Sequence, residues 1–321
     1  MTEHSARHDD EEARVGSTSH DRRTEIPRPV RANGISLCCA TYGDPADPPL
    51  LMIMGQGTQL DGWDRSYVDD LVDSGFFVIR FDNRDVGLSE RIEGTPDTAA
   101  IRAGDLSTLP YTLDDMAADA VGLLDALGLD RAHLLGASLG GMIAQLVAIR
   151  WPQRVLSLCS IMSSTGDRAV GQPDPDTIAL MRRPAPPTRE GAIEAAVERS
   201  RALAGKGFPF DEDAARTRAA AAYDRAHDPA GRLRQQAAAI AAADRTPELR
   251  RLQVPTVVIH GNDDRLVDVS GGRATAAAVP DARFELIDGM GHGVVPEAWP
   301  QIITAVRRNA ARATAVPGDV R

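Results

Sequence analysis

Ser138 stands in Gly136-Ala137-Ser138-Leu139-Gly140, one small hydroxyl with a glycine two residues to either side. Gly-x-Ser-x-Gly arises by chance in about one chain of this length in ten at ordinary residue frequencies, so its flanks decide what it means. "AHLLGA" (132–137) reads as a strand, and "LGGMIAQLVAIRW" (139–151) reads as a helix. A serine between them must sit on a tight strand-to-helix turn with strained backbone angles, where a Cβ at either glycine would strike the adjoining strand or helix. The helix starting at Leu139 points its N–H groups and positive dipole end at the hydroxyl. That is the setting of a nucleophile for acyl transfer.

A serine nucleophile needs a base. Seven histidines are present, three of them (His4, His8, His20) in a charged N-terminal stretch that reads as solvated. His133 lies in the strand feeding the serine and cannot fold round to meet it. His260 ends "TVVIHG" and is expected to shape that strand end, while His227 lies in a helical segment. His292 sits in "DGMGHGVV", a loop after the final strand pattern, and such a loop reaches the same sheet edge as Ser138. The base in turn needs an acid to fix its tautomer. "HGNDDRLVD" offers Asp263, Asp264 and Asp268, and since neighbouring side chains diverge, only one of the first two can face His292.

The elements that must position these groups alternate in type. Strand patterns occupy 35–42, 50–54, 76–81, 132–137, 155–162, 256–261 and 282–288, and helical patterns occupy 112–128, 139–151, 271–280 and 296–311. Short apolar strands alternating with helices predict a mainly parallel α/β sheet covered on both faces. No helix is read between the first strands, so an antiparallel N-terminal edge is expected. The rhythm breaks over 165–248, which opens Pro/Arg-rich and continues Ala-rich without a strand pattern. It reads as a helical lid inserted in the core, which comprises 29–164 and 249–314.

Taken together, "LMIMGQG", "RFDNRDVGLSE", "LLGASLGGM", "IHGNDDRLVD" and "DGMGHGVV" resemble the α/β-hydrolase fold family over roughly residues 29 to 312. The likeness is to its serine carboxylesterases, in the group of aclacinomycin methylesterase. The resemblance implies a doubly wound sheet of about eight strands with the lid after strand six. The family's Gly-x-x-D spacing selects Asp264, counted from Gly261, as the acid. The implied oxyanion donors are the backbone N–H groups of Gln56 and Leu139. Many relatives carry His-Gly where this chain has Met54-Gly55, a change that leaves a backbone donor intact. The Gln56 side chain is expected either to reach substrate or to face water. "FDNRDVGLSE" gathers Asp82, Arg84, Asp85 and Glu90 and is read as a loop organised by internal ion pairs and hydrogen bonds. Met181, Phe208, Phe210 and Val294 are candidates for the substrate pocket.

The reaction so implied is hydrolysis of a carboxylic ester through an acyl-enzyme, with no cofactor and no metal. Thioester hydrolysis, C–C bond hydrolysis and cofactor-free perhydrolysis use the same triad, and a non-catalytic ligand-binding protein can share the fold. A serine nucleophile argues against haloalkane dehalogenases and epoxide hydrolases, which use a carboxylate there. The lid is expected to govern substrate choice and to contribute little to the chemistry.

The 321 residues carry a formal net charge of −10, which provides no basic footprint for nucleic acid or an anionic membrane. The expected partner is a small-molecule ester, and the expected state is a monomer or homodimer. Residues 1–28 read as a disordered charged tail without the apolar core of a secretory signal. Cys38, Cys39 and Cys159 sit in apolar runs and read as buried thiols of a cytoplasmic protein.

Overall fold

The computed structural model describes residues 27–314. The tail's residues 1–26 lie outside them. Arg28 does not belong to a tail, because it begins a strand.

Eight strands form one sheet: β1 (Arg28–Ala32), β2 (Ile35–Tyr42), β3 (Pro49–Ile53), β4 (Phe77–Phe81), β5 (Ala132–Ala137), β6 (Val155–Ile161), β7 (Thr256–Gly261) and β8 (Arg283–Ile287). Their order is β1-β2-β4-β3-β5-β6-β7-β8. β1 pairs with β2 and β2 with β4 antiparallel, so only β2 runs against the rest. The antiparallel edge expected from the sequence is there, but β3 and β4 are parallel. The helix α1 (Arg65–Asp73), missed in the sequence, makes that crossover. Asp64 caps it by accepting from the Ser66 N–H, and Tyr67, Val68 and Leu71 line its buried face.

The strands bury both faces. Leu50 and Met52 of β3 face one core cluster with Tyr67, Leu71, Ile302 and Val306. Leu51 and Ile53 face the other, with Met116, Leu124, Ile143 and Val147. The first cluster is closed by α1 and by α11 (Trp299–Thr314). The second is closed by α3 (Leu113–Ala126) and α4 (Leu139–Arg150). Each fully buried Leu or Ile contributes about 1.5–3 kcal/mol relative to exposure, which explains why these strands read as continuous apolar runs. α2 (Thr98–Arg102) precedes α3 and packs on the insertion.

Between β6 and β7 lie five helices and no strand: α5 (Pro175–Arg182), α6 (Arg189–Leu203), α7 (Glu212–Arg225), α8 (Pro229–Ala241) and α9 (Thr246–Leu249). Asp174, Thr188, Asp211 and Asp228 cap the first four through their side chains. α10 (Val269–Ala278) joins β7 to β8. The strand registers place Ile53 beside Gly136, Ala137 beside Ile161 and Ile161 beside Ile259. The loops after β3, β5, β7 and β8 therefore meet at one carboxyl edge, where open α/β sheets hold their ligands.

Candidate active site

Ser138 links β5 to α4 with φ 55° and ψ −119°. For a non-glycine residue this is a strained conformation costing of order 1–3 kcal/mol, and the sheet imposes it. The Ser138 N–H donates to the Ile161 carbonyl at 2.9 Å. The glycines are explained by contact: a Cβ at Gly136 would lie 2.2 Å from the Gly140 oxygen, and one at Gly140 would lie 2.0 Å from the Ile53 oxygen. The turn can be this tight only because those two positions carry nothing.

The hydroxyl meets its partners directly. Ser138 Oγ lies 3.0 Å from His292 Nε2, and His292 Nδ1 lies 2.7 Å from Asp264 Oδ2. With Asp264 accepting from Nδ1–H, Nε2 is free to accept the serine proton. The Asp264 side chain is fully buried, and its Oδ1 accepts the Leu266 and Val267 N–H groups, each at 2.9 Å. Burial alone would raise its pKa. The charge attraction of His292, together with hydrogen bonds from His260, His292 and the Val267 N–H, outweighs burial and holds the carboxyl well below the usual carboxylate range. Asp263 does not face His292: its Oδ2 accepts the Lys206 N–H at 2.8 Å. Asp268 caps α10.

The other histidines stand elsewhere. His133 bonds Ser157 Oγ at 2.8 Å, and its pKa is lowered to about 4 by burial, with Arg131 adding to the effect. His227 stacks on Tyr223. His260 Nε2 lies 2.8 Å from the Val267 oxygen and 3.4 Å from Asp264 Oδ2, so it braces the acid's loop. This second neighbour of the acid went unread; its position four residues before Asp264 was the available signal.

The loop after β3 passes beside the nucleophile. A Cβ on Gly55 would sit 3.2 Å from Ser138 Cβ, so the chain entering Gln56 runs along the hydroxyl. Among the described residues the Gln56 N–H has no acceptor. Leu139 opens α4, where the first N–H groups lack intrahelical acceptors. The Gln56 side chain meets neither of its expectations: its Nε2 donates to the Arg232 carbonyl in α8 at 3.1 Å. The next residue's N–H donates to Gln235 Oε1 at 2.7 Å.

The loop after β4 also departs from its reading. Some of its hydrogen bonds are internal, as in Leu88 N–H to Asp82 Oδ2 at 2.8 Å and Ile92 N–H to Asp85 Oδ1 at 2.8 Å, while others leave it, as in Leu60 N–H to Asp82 Oδ1 at 2.7 Å. Its ion pairs are not internal. Asp82 pairs with Arg225 at 2.8 Å, Asp85 with Arg234 at 2.8 Å, and Arg84 with Asp119 of α3 at 2.6 Å. Glu90 hydrogen-bonds the Ser36 N–H and pairs with Arg31. A guanidinium fork fits a carboxylate bidentately, as Arg234 of α8 does on Asp85, while Arg225 of α7 spans Asp82, Asp61 and Gln59; together they bolt the insertion onto the core.

The insertion grips the histidine loop as well. The His292 N–H donates to the Leu203 carbonyl at 2.8 Å, and the Gly207 N–H to the Gly289 carbonyl at 3.0 Å. A Cβ on Gly205 would lie 2.0 Å from the Gly289 oxygen, so chain packs on chain there. The insertion thus positions two loops of the site, more than the role in substrate choice expected for it. Of the pocket candidates, Phe208 and Val294 pack on the core cluster that contains Met54 and Met290. Phe210 is half-buried beneath the Arg201 guanidinium, 4.8 Å from ring centre to carbon. Met181 is half-buried on α5. The three cysteines are buried and free. Among the described residues no helix is long and apolar enough to cross a membrane, and no three His, Cys, Asp or Glu side chains cluster as metal ligands.

Strand order, elbow turn and serine–histidine–aspartate chain define the doubly wound α/β class of hydrolase. The chain belongs to the α/β hydrolase fold family, whose pattern matches residues 48–298. It is 31% identical over 307 residues to rhodomycin D methylesterase DnrP of Streptomyces peucetius, covering 89% of this chain and 99% of that one. It is 26% identical over 283 residues to 3-oxoadipate enol-lactonase 2 of Acinetobacter baylyi, covering 87% and 96%. The solved esterase RhEst1 of Rhodococcus sp. ECU1013 superposes with a TM-score of 0.68 at 23% identity, covering 89% of this chain and 98% of that one.

Proposed function

We propose that the protein hydrolyses a carboxylic ester of methylesterase type through an acyl-enzyme on Ser138. The unbroken chain from Ser138 Oγ through His292 to the buried Asp264, at 3.0 and 2.7 Å, carries this reading. The methylesterase identity of the DnrP relative supports a methyl ester as the first substrate to try. His292 Nε2 takes the serine proton as Oγ attacks the ester carbonyl. The Gln56 and Leu139 N–H groups stabilise the oxyanion, each donor being worth about 3 kcal/mol. The imidazolium then protonates the leaving alcohol, and His292 activates water to release the acid and regenerate Ser138. Asp264, held ionised by its surroundings, orients His292 and stabilises its charge.

The test is hydrolysis of methyl and p-nitrophenyl esters, with the corresponding thioesters and vinylogous diketones run beside them. The expected result is turnover of esters by the wild type and a loss of at least about 10⁴-fold in Ser138→Ala. Turnover confined to the diketones would replace ester hydrolysis with C–C cleavage, and equal ester turnover by Ser138→Ala would remove the serine from the mechanism.

A further inference from the structure

Most arginines of the insertion are spoken for. Arg225 reaches Asp82 and Asp61, Arg234 reaches Asp85, Arg189 reaches Asp224, and Arg183 pairs with Glu198. Arg232, between two of these on α8, differs. Among the described residues its guanidinium has no carboxylate within ion-pair distance and donates no hydrogen bond to the protein. It is nevertheless not out in solvent, since the residue is only partly exposed.

Its stem shows where it lies. A Cβ on Gly57 would sit 2.9 Å from Arg232 Cγ and 3.0 Å from its Cδ, so the aliphatic part rests on the loop after β3. The Arg232 carbonyl holds the Gln56 side chain of the same loop. Two residues earlier, Gly55 touches Ser138. Two residues of chain span at most about 7 Å, which puts the Arg232 stem roughly one small molecule's length from the nucleophile. Its charged neighbour is another cation, Arg199 of α6. Burial first, and Arg199 second, push the Arg232 guanidinium below its ordinary pKa. A half-buried cation with no counter-charge gains from an anion that reaches it.

We propose that Arg232, backed by Arg199, is an anion subsite of this active site, and that the ester it accepts carries a second, uncleaved carboxylate. The subsite rests on the ester-hydrolase reading for its use, but not for its existence. Guanidinium matches carboxylate in charge and in fork geometry, and the loop after β3 runs past both the Arg232 stem and Ser138. Binding the free carboxylate at Arg232 lays the ester carbonyl towards the Gln56 N–H, so one contact selects the substrate and orients it.

Binding is read without turnover in Ser138→Ala. Monomethyl succinate, glutarate and adipate are titrated against the methyl esters of neutral acids with the same number of carbons. The acidic ester binds about tenfold more tightly or better at its best length, and the preference shrinks as salt is raised to about 0.5 M. Adding Arg232→Gln removes the preference, and so does Arg232→Met, which keeps the stem on Gly57. Arg232→Lys retains part of it. Fluorophosphonate labelling of Ser138 in the single Arg232 variants reports that they are folded. Equal binding of acidic and neutral esters at every length, or a preference that survives both neutral variants, overturns the subsite. A preference that follows Arg232 in a protein that turns over no ester keeps the subsite and defeats the ester-hydrolase reading instead.

Discussion

The turn that carries Ser138 is made by the sheet, whereas the loops that carry His292 and Gln56 lean on the helical insertion between β6 and β7. Ser138 takes its backbone angles from two glycines packed on Ile53 and on α4, and its N–H bonds Ile161. His292 hangs from the Leu203 carbonyl, and the Gln56 loop hangs from Arg232 and Gln235. Ser138 is therefore positioned by the sheet, while the loops of His292 and Gln56 are positioned in part by the insertion. A change in the insertion reaches the chemistry through those hydrogen bonds without touching substrate.

The largest expected effect breaks the partner side at its root. Asp264→Asn should lower kcat by up to about 10⁴-fold by selecting the wrong histidine tautomer. Asp263→Asn disturbs only the Lys206 N–H contact and should cost less than about tenfold. The reverse ranking would move the acid to Asp263. Next comes the bolt between insertion and core. Arg234 and Asp85 are both buried, and Asp85→Asn leaves the guanidinium only the more distant Asp228, at 3.7 Å. A loss of about 3–5 kcal/mol is expected in urea unfolding, against a change of under about 1 kcal/mol for Arg216→Met on the exposed face of α7. Equal losses would show that the insertion is not held by its buried pairs.

Gly205→Val sharpens the comparison. Its side chain must displace Gly289 and with it the His292 loop, so kcat/KM should fall about 10²-fold while the fold survives. Gly140→Val, which drives into Ile53 in the sheet itself, should prevent folding. If Gly205→Val keeps full activity, the histidine loop does not depend on the insertion. The smallest effect lies away from the site. His133 is buried neutral with its pKa at about 4, below the unfolded value near 6.5. The unfolded chain binds more protons in that window, so this group's contribution to stability is full above about pH 6.5 and falls as pH drops towards 4. Wild type should lose about 2 kcal/mol more than His133→Gln between pH 7 and pH 5, read from urea midpoints. Parallel losses would mean that other groups set the acid limit.

The sequence made the sheet side legible and the insertion side much less so. Gly136, Ser138 and Gly140 sit between a strand pattern and a helix pattern, and that order alone forces the elbow. Ser138 and His292 follow from the loops after β5 and β8, whereas the choice of Asp264 over Asp263 comes from the family's Gly-x-x-D spacing. β1 escaped because Arg28-Pro29-Val30-Arg31-Ala32 is a polar edge strand beside the charged tail, and α1 because it is only nine residues long, although Tyr67, Val68 and Leu71 give it a clear apolar face. The partners of Asp82 and Asp85 lie about 140 to 150 residues away, at Arg225 and Arg234. No local periodicity encodes such a pairing, so a loop that looked self-contained is an anchor for the insertion. The Leu203–His292 and Arg232–Gln56 bonds use backbone oxygens, which every residue has, and leave no mark on composition.

Fluorophosphonate labelling followed by peptide mass spectrometry reads whether Ser138 is a nucleophile activated by His292. One adduct per wild-type chain is expected, on the peptide carrying Ser138, with none in Ser138→Ala and labelling slowed by about 10³-fold or more in His292→Ala. An adduct on any other residue, or labelling that proceeds at the wild-type rate without His292, would contradict that assignment.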